Sequence, residues 1–124
     1  MITGIAHVQV AIDAGGEERA RGFYGELLGL EEIPKPASLA DRGGCWFRCG
    51  PQELHCGVER GSQQGARHHP ALLTDNLDSL RARLEAGGVE TQDDRQMPGH
   101  RRFYARDPFG NRIEFLQPDA GHAR

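Results

Sequence analysis

Residues 52–59 read QELHCGVE and residues 111–118 read NRIEFLQP. Laid side by side, the two stretches set His55 opposite Glu114. In the first, Leu54, Cys56 and Val58 alternate with His55; in the second, Ile113 and Phe115 flank Glu114. Alternation of this kind marks a half-buried strand, because successive side chains of a strand point to opposite faces. Each polar residue therefore lies opposite the apolar side of its own strand. Working outward, the match extends to two earlier strands. Ile5–Ile12 carries Val8, Val10 and Ile12 on one face and His7, Gln9 and Ala11 on the other, and His69 opens a second such stretch, His69–Thr74. The offset from His7 to His69 is close to that from His55 to Glu114, and one loop insertion accounts for the difference.

The segments between these strands repeat in the same order. Ala20, Phe23, Tyr24, Leu27 and Leu28 form the stripe of an amphipathic helix over Glu17–Leu28, stopped by Gly29. A short strand, Leu30–Ile33, ends at Pro34 and Pro36, and strands at Gly44–Cys49 and Glu53–Glu59 join through a Gly50-Pro51 turn. The polar stretch Gly61–Arg67 reads as a loop. In the second half, Leu77, Leu80 and Leu84 stripe a helix that ends at Gly87-Gly88. Strands are then expected at Val89–Arg95, Arg101–Arg106 and Arg112–Gln117, the last two separated by the turn Asp107-Pro108-Phe109-Gly110. The chain reads βαβββ twice. The expected class is α+β, one domain over 1–124, with modules at about 4–60 and 67–117 and a tail at 118–124. In such a module the helix covers one sheet face, so His7, His55, His69 and Glu114 are expected on the other, concave face.

Composition agrees with a folded domain and narrows its partners. The chain has 124 residues, 17 of them Gly, with 27% charged residues of mixed sign. Fifteen basic and 18 acidic residues leave a net charge of −3, which offers no basic field for nucleic acid or an acidic membrane surface. No apolar run approaches the roughly 20 residues of a membrane helix, and MITGIAHVQVAI lacks the basic start of a secretory signal. A cytoplasmic location is expected. The three cysteines, Cys45, Cys49 and Cys56, match neither a disulfide framework nor a zinc knuckle and read as small buried residues in a reducing compartment.

The stretches AHVQVAI, FYGELLGLEE, HPALLTDNLDSLRARLEAGGV and DPFGNRIEFLQP resemble the vicinal oxygen chelate superfamily, which includes glyoxalases, bleomycin-resistance proteins and extradiol dioxygenases. The resemblance covers residues 4–117. It implies two βαβββ modules whose curved mixed sheets form an open half-barrel, and a homodimer partner. It places the family's metal ligands on His7, His69 and Glu114, with the fourth ligand position on His55. Glyoxalases generally have a carboxylate or amide at that fourth position, and extradiol dioxygenases use only two His and one Glu, so His55 leaves the subfamily open.

Three imidazoles and a carboxylate suit a divalent transition metal (Zn, Fe, Mn, Ni or Co) and argue against Ca or Mg. The implied activity is that of a metal-dependent enzyme whose small substrate is chelated through adjacent oxygens, by lyase, isomerase or dioxygenase chemistry. The base is Glu53, which shares the His55 face by strand parity, or Glu114 released from the metal. Trp46 and Phe47 are consecutive, so one faces the helix and the other the cup; Phe103 and Tyr104 pose the same choice, and Tyr104 offers a hydroxyl to substrate. Lys35, Arg101 and Arg102 are ordinary surface charges or holders of a substrate carboxylate. Phe23, Tyr24, Phe109 and Phe115 read as core, His68 as a flanking residue, and His100 and His122 as solvated residues of a turn and the tail. The alternative function is a metal-free drug- or metabolite-binding protein of the bleomycin-resistance type, although such a protein has no need of ligand-competent residues at all four positions. A thiol transferase acting on an epoxide antibiotic is a third reading, for which the basic residues that would hold a phosphonate are not evident.

Overall fold

The computed structural model describes residues 1–60 and 67–120. The chain divides into two compact units, Met1–Gln63 and Gln64–Arg124. Both are α+β, and each holds a four-stranded mixed sheet. The expected loop at 61–67 falls almost wholly outside the described residues, as do residues 121–124 of the tail with His122. No helix among the described residues is long and apolar enough to cross a membrane.

The first unit runs β1 (His7–Ile12), α1 (Glu17–Ala20, continued by a wide-turn segment Arg21–Leu27), β2 (Glu31–Ile33), β3 (Cys45–Cys49) and β4 (Gln52–Val58). Its strand order is β1-β4-β3-β2, with β1 parallel to β4 and the other pairs antiparallel. Val10 and Ile12 of β1, Leu54 and Cys56 of β4, and Cys45 and Phe47 of β3 are buried on one face of the sheet. Ala20, Phe23 and Tyr24 bring the helix's apolar stripe into the same core. The helix departs from the regular α geometry its periodicity predicts. Leu28 N–H donates across five residues to Phe23 C=O at 2.9 Å, the bond of a π turn. The wider turn lets Phe23 and Tyr24, adjacent in sequence, both bury almost completely, packed edge to face with centroids 4.9 Å apart. A short 3₁₀ stretch, Ala37–Arg42, not foreseen from the sequence, leads into β3. Gly44 then has φ 85°, and a Cβ there would lie 2.2 Å from the Cys56 carbonyl oxygen, so no other residue fits where β3 begins against β4.

The second unit repeats the plan with β5 (Ala71–Leu73), α2 (Leu77–Ala86), β6 (Thr91–Gln92), β7 (His100–Arg106) and β8 (Arg112–Pro118), in the order β5-β8-β7-β6. Asn76 caps α2 by accepting the Ser79 N–H at 3.1 Å. Gln117 of β8 accepts the Leu77 N–H at 2.8 Å, which ties the helix start to the sheet. Leu77, Leu84, Phe103, Ile113 and Phe115 fill the core, with Phe103 and Phe115 stacked at 5.1 Å. The β7–β8 connection is a cage around Asp107. Its Oδ1 accepts the N–H groups of Phe109 and Asn111, and its Oδ2 accepts from the Asn111 side chain at 2.7 Å.

Three expected boundaries shift. The strand expected over His69–Thr74 is limited to Ala71–Leu73, because Pro70 has no N–H for the ladder, although its carbonyl still accepts from Glu114 N. The strand expected over Val89–Arg95 shrinks to two residues, Thr91–Gln92, paired with Ala105 and Tyr104. His100, expected in a turn, is the first residue of β7, paired with Pro118.

Candidate functional site

In the first unit, register decides which polar residues share the face turned away from the helix. His7, Gln9 and Ala11 of β1 lie level with Glu53, His55 and Gly57 of β4, and Trp46 of β3 lies level with His55. Trp46, not Phe47, therefore faces this side, and Phe47 enters the core. The imidazole of His55 lies between two parallel rings: Trp46, centroid 3.7 Å away and 4° from coplanar, and His7, 4.0 Å away and 15° from coplanar. That stack immobilises a ring that is only 4% exposed. Its Nε2 is 2.9 Å from Oε1 of Glu53, whose side chain is partly exposed. His7 itself is exposed.

In the second unit the centre of the polar face is a carboxylate. Glu114 is level with Ala71 on β5 and with Tyr104 on β7, and it is 5% exposed. Its Oε1 lies 2.9 Å from His69 Nε2 and accepts the Tyr104 hydroxyl at 3.2 Å; its Oε2 accepts from the Arg102 guanidinium at 3.4 Å. Arg102 also donates to the Tyr104 oxygen at 3.1 Å and is anchored on the Arg95 carbonyl. Arg112 lies over the Tyr104 ring, 3.8 Å from its centroid. Burial pushes the Tyr104 phenol above its ordinary value, and the Glu114 charge adds to that shift. The hydroxyl thus stays a donor at neutral pH.

The two units place their candidates at equivalent positions. His55 is level with Gln9, two residues after His7, and Glu114 is level with Ala71, two residues after His69. Trp46 occupies beside His55 the cross-strand place that Tyr104 occupies beside Glu114. His69 lies just outside β5, yet Pro70 keeps it aligned, since Glu114 N–H donates to the Pro70 carbonyl at 3.0 Å.

Imidazole nitrogens and a carboxylate are ligands for zinc and its first-row neighbours, and the second unit has the chemistry to receive such an ion. His69 Nδ1 faces the Arg67 carbonyl at 2.7 Å, and its Nε2 lies beside Glu114 Oε1 at 2.9 Å. An imidazole nitrogen and a carboxylate oxygen at that distance can share a proton or take up a cation. Within neither unit, among the described residues, do three or more His, Cys, Asp and Glu side chains gather as a complete metal cage.

The remaining candidates divide. Arg101 is exposed and paired with Asp78 at 2.6 Å, away from the Glu114 face. Lys35 donates to the Gly43 carbonyl and lines a pocket in the first unit together with Trp46, Gln9 and Arg42. Gln9 and Arg42 were missed by the sequence reading. Gln9 shares strand parity with His7, a signal that was available; Arg42 sits in the unforeseen 3₁₀ stretch and had none. Arg112 was missed because its stacking on Tyr104 depends on register. Cys45 and Cys56 are buried and level with each other, Cys49 is half-buried, and all three are free thiols.

The model of the glyoxalase-like domain family matches residues 9–116. A protein of Bacillus anthracis described as belonging to the glyoxalase family is 52% identical, with a TM-score of 0.90 over 96% of this chain and 98% of that one. Lactoylglutathione lyase from Agrobacterium tumefaciens is 25% identical, with a TM-score of 0.72 over 94% of this chain and 95% of that one. The fosfomycin resistance protein FosX of Listeria monocytogenes, as a mutant complexed with Mn(II) and 1S,2S-dihydroxypropylphosphonic acid, is 21% identical, with a TM-score of 0.79 over 95% and 94%, a likeness of fold alone. No curated protein sequence matches the chain.

Proposed function

The chain belongs to the glyoxalase-like domain family of the vicinal oxygen chelate superfamily, and on that premise we propose that it is a metal-dependent enzyme acting on a small oxygenated substrate. Each unit offers a pair of candidate donors, His7 and His55 in the first and His69 and Glu114 in the second. The group such donors would hold is a divalent transition metal, one of Zn, Fe, Mn, Ni or Co. Bound there, it supplies Lewis acidity to two adjacent substrate oxygens. The observation that carries this reading is the pairing of a buried carboxylate with an imidazole, Glu114 Oε1 lying 2.9 Å from His69 Nε2.

The chain's own residues supply the rest. Trp46 and His7 hold the His55 ring in one plane from both sides. Tyr104 and Arg102 fix both oxygens of Glu114. Glu53, partly exposed and hydrogen-bonded to His55, is positioned to accept a proton from a substrate carbon beside an oxygen. Glu114 is the alternative base. Moving a proton between such carbons is isomerase or lyase chemistry; an iron centre would instead suit a dioxygenase.

One observation favours the second reading, a metal-free binding protein. Arg102 already offers Glu114 a positive charge at 3.4 Å, so its carboxylate has a counter-ion without a metal. Elemental analysis separates the two readings. Protein purified without chelator, before and after supplementation with each candidate metal, is expected to carry about one ion per chain, and Glu114→Gln is expected to lose it while keeping the wild-type circular dichroism. Folded wild-type protein that takes up no metal in either preparation establishes the binding-protein reading. Under that reading, the ligand would be sought by the shift it causes in melting temperature.

A further inference from the structure

On the first unit's sheet, the row beyond His55 and Trp46 is bare. Gly57, level with Ala11, carries no side chain there, and Gly43 lines the same space. A Cβ on Gly57 would come within 2.5 Å of the Gln9 side-chain nitrogen, so the Gln9 amide lies directly across Gly57. Over this floor opens a pocket of about 240 Å³, walled by Gln9, Trp46, Leu39, Lys35 and Arg42. Full ligand pockets span roughly 300–1,000 Å³, so this one suits a compact molecule or one end of a larger one.

Its charge is unlike that of the chain around it. The protein is net negative, yet the pocket lining includes two cations and no carboxylate. Lys35 is anchored at the rim by donating to the Gly43 carbonyl, which ties the two ends of the Pro36–Gly43 excursion together. Glu17, whose carboxylate comes near Gly43 and feels the Lys35 charge, is engaged by the Gly44 N–H at 2.6 Å. The guanidinium of Arg42 makes no hydrogen bond or ion pair among the described residues, and neither does the Gln9 amide. A planar guanidinium fork and a side-chain amide, next to the apolar Leu39 and an indole, together match a carboxylate on a flat apolar body.

We propose that this pocket is a carboxylate subsite, with Arg42, Lys35 and Gln9 as the anion's partners and Trp46 as the wall for the body that carries it. The proposal rests on the reading of this sheet face as the ligand-holding face, since His55 and Trp46 border the pocket. It adds that the substrate is a small organic acid.

Trp46 is the chain's single tryptophan, so its emission reports on this pocket and on the His55 ring stacked beside it. Benzoate, its neutral counterpart benzamide, and inorganic phosphate would be titrated in turn. Benzoate is expected to change the emission saturably and benzamide to have little effect. Arg42→Gln is expected to weaken benzoate roughly tenfold or more, and Arg42→Lys to recover part of that loss. Arg42 is exposed and unpaired among the described residues, so neither variant endangers the fold. Benzamide binding as tightly as benzoate, or an unchanged affinity in Arg42→Gln, overturns the subsite; phosphate binding more tightly than benzoate overturns its assignment to carboxylates. The titrations are run with chelator and again with Mn(II), with metal uptake measured in parallel. Benzoate binding without metal uptake keeps the subsite and removes the metalloenzyme reading, and metal uptake without benzoate binding does the reverse.

Discussion

The two units share one topology and put their polar residues at the same register positions, yet they build opposite environments there. Around His55 the first unit places flat rings, so the central group is held by stacking and, among the described residues, has one hydrogen-bonding partner, Glu53. Around Glu114 the second unit places the donors Tyr104 and Arg102 and the His69 imidazole, so the central group is held by directed bonds. A stacked ring tolerates burial with few partners, whereas a buried carboxylate must be compensated at both oxygens. The same strand position therefore demands a different neighbourhood according to the group it carries. The helix anchors are also reversed. Glu17 at the start of α1 reaches the Gly44 N–H just before β3, while Gln117 of the sheet reaches the start of α2.

This comparison can be strained experimentally, most severely in the cores. Phe47→Ala and Phe115→Ala, each emptying a fully buried ring position, are expected to cost about 3–5 kcal/mol apiece in urea unfolding. Costs differing by more than twofold would show that the shared topology hides unequal cores. At the polar centres, Glu114→Gln is expected to lower metal affinity by at least about a hundredfold, because a direct ligand outweighs the roughly 10–100-fold typical of its supporting partners. Equilibrium dialysis against Mn(II) measures this, and unchanged affinity removes Glu114 from the ligand set.

Smaller effects test the supports. Asp107→Ala removes an acceptor that serves two backbone N–H groups and the Asn111 amide, and is expected to cost about 1–3 kcal/mol. The first unit's Gly50-Pro51 connection has no such carboxylate, so this turn should be separately vulnerable. Tyr104→Phe is expected to weaken metal binding about tenfold with little change in melting temperature, as befits a residue acting through Glu114.

The gentlest test concerns Glu17. The Gly44 N–H it accepts, more than any other contact, holds its carboxyl below the ordinary value of 4.5. A carboxyl lowered in the folded state adds stability above its unfolded value, and that stability is lost as pH falls through the folded one. Wild type should therefore exceed Glu17→Gln in urea midpoint at neutral pH, and the gap should close as pH drops below about 4.5. A constant gap would mean that the Gly44 bond does not depend on the charge.

Much of the fold was legible because it rests on periodicity. Val8, Val10 and Ile12, and likewise Ile113 and Phe115, reveal their buried face in any reading of the chain, and Gly29 and Gly87-Gly88 stop the helices where backbone freedom is needed. The boundaries that shifted did so through local exceptions: Pro70 lacks a ladder donor, and a π turn buries Phe23 and Tyr24 together. On the polar faces, parity put Glu53 on the side of His55 without saying what each would touch. It left Trp46 against Phe47 undecided, and it gave no sign that Arg102 and Tyr104 would grip Glu114.

The amino-acid sequence alone determined that the chain is α+β, that it repeats one βαβββ plan, and that His7, His55 and Glu114 turn away from the cores. These are consequences of side-chain direction along a single strand, a short-range property. Tertiary structure alone decided that His55 is stacked between Trp46 and His7, that Glu114 is shared by His69, Tyr104 and Arg102, and that Arg42 and Gly57 line one pocket. Those neighbours are distant in sequence and are set by inter-strand register and loop path, which the packing of the whole unit fixes and no local pattern encodes.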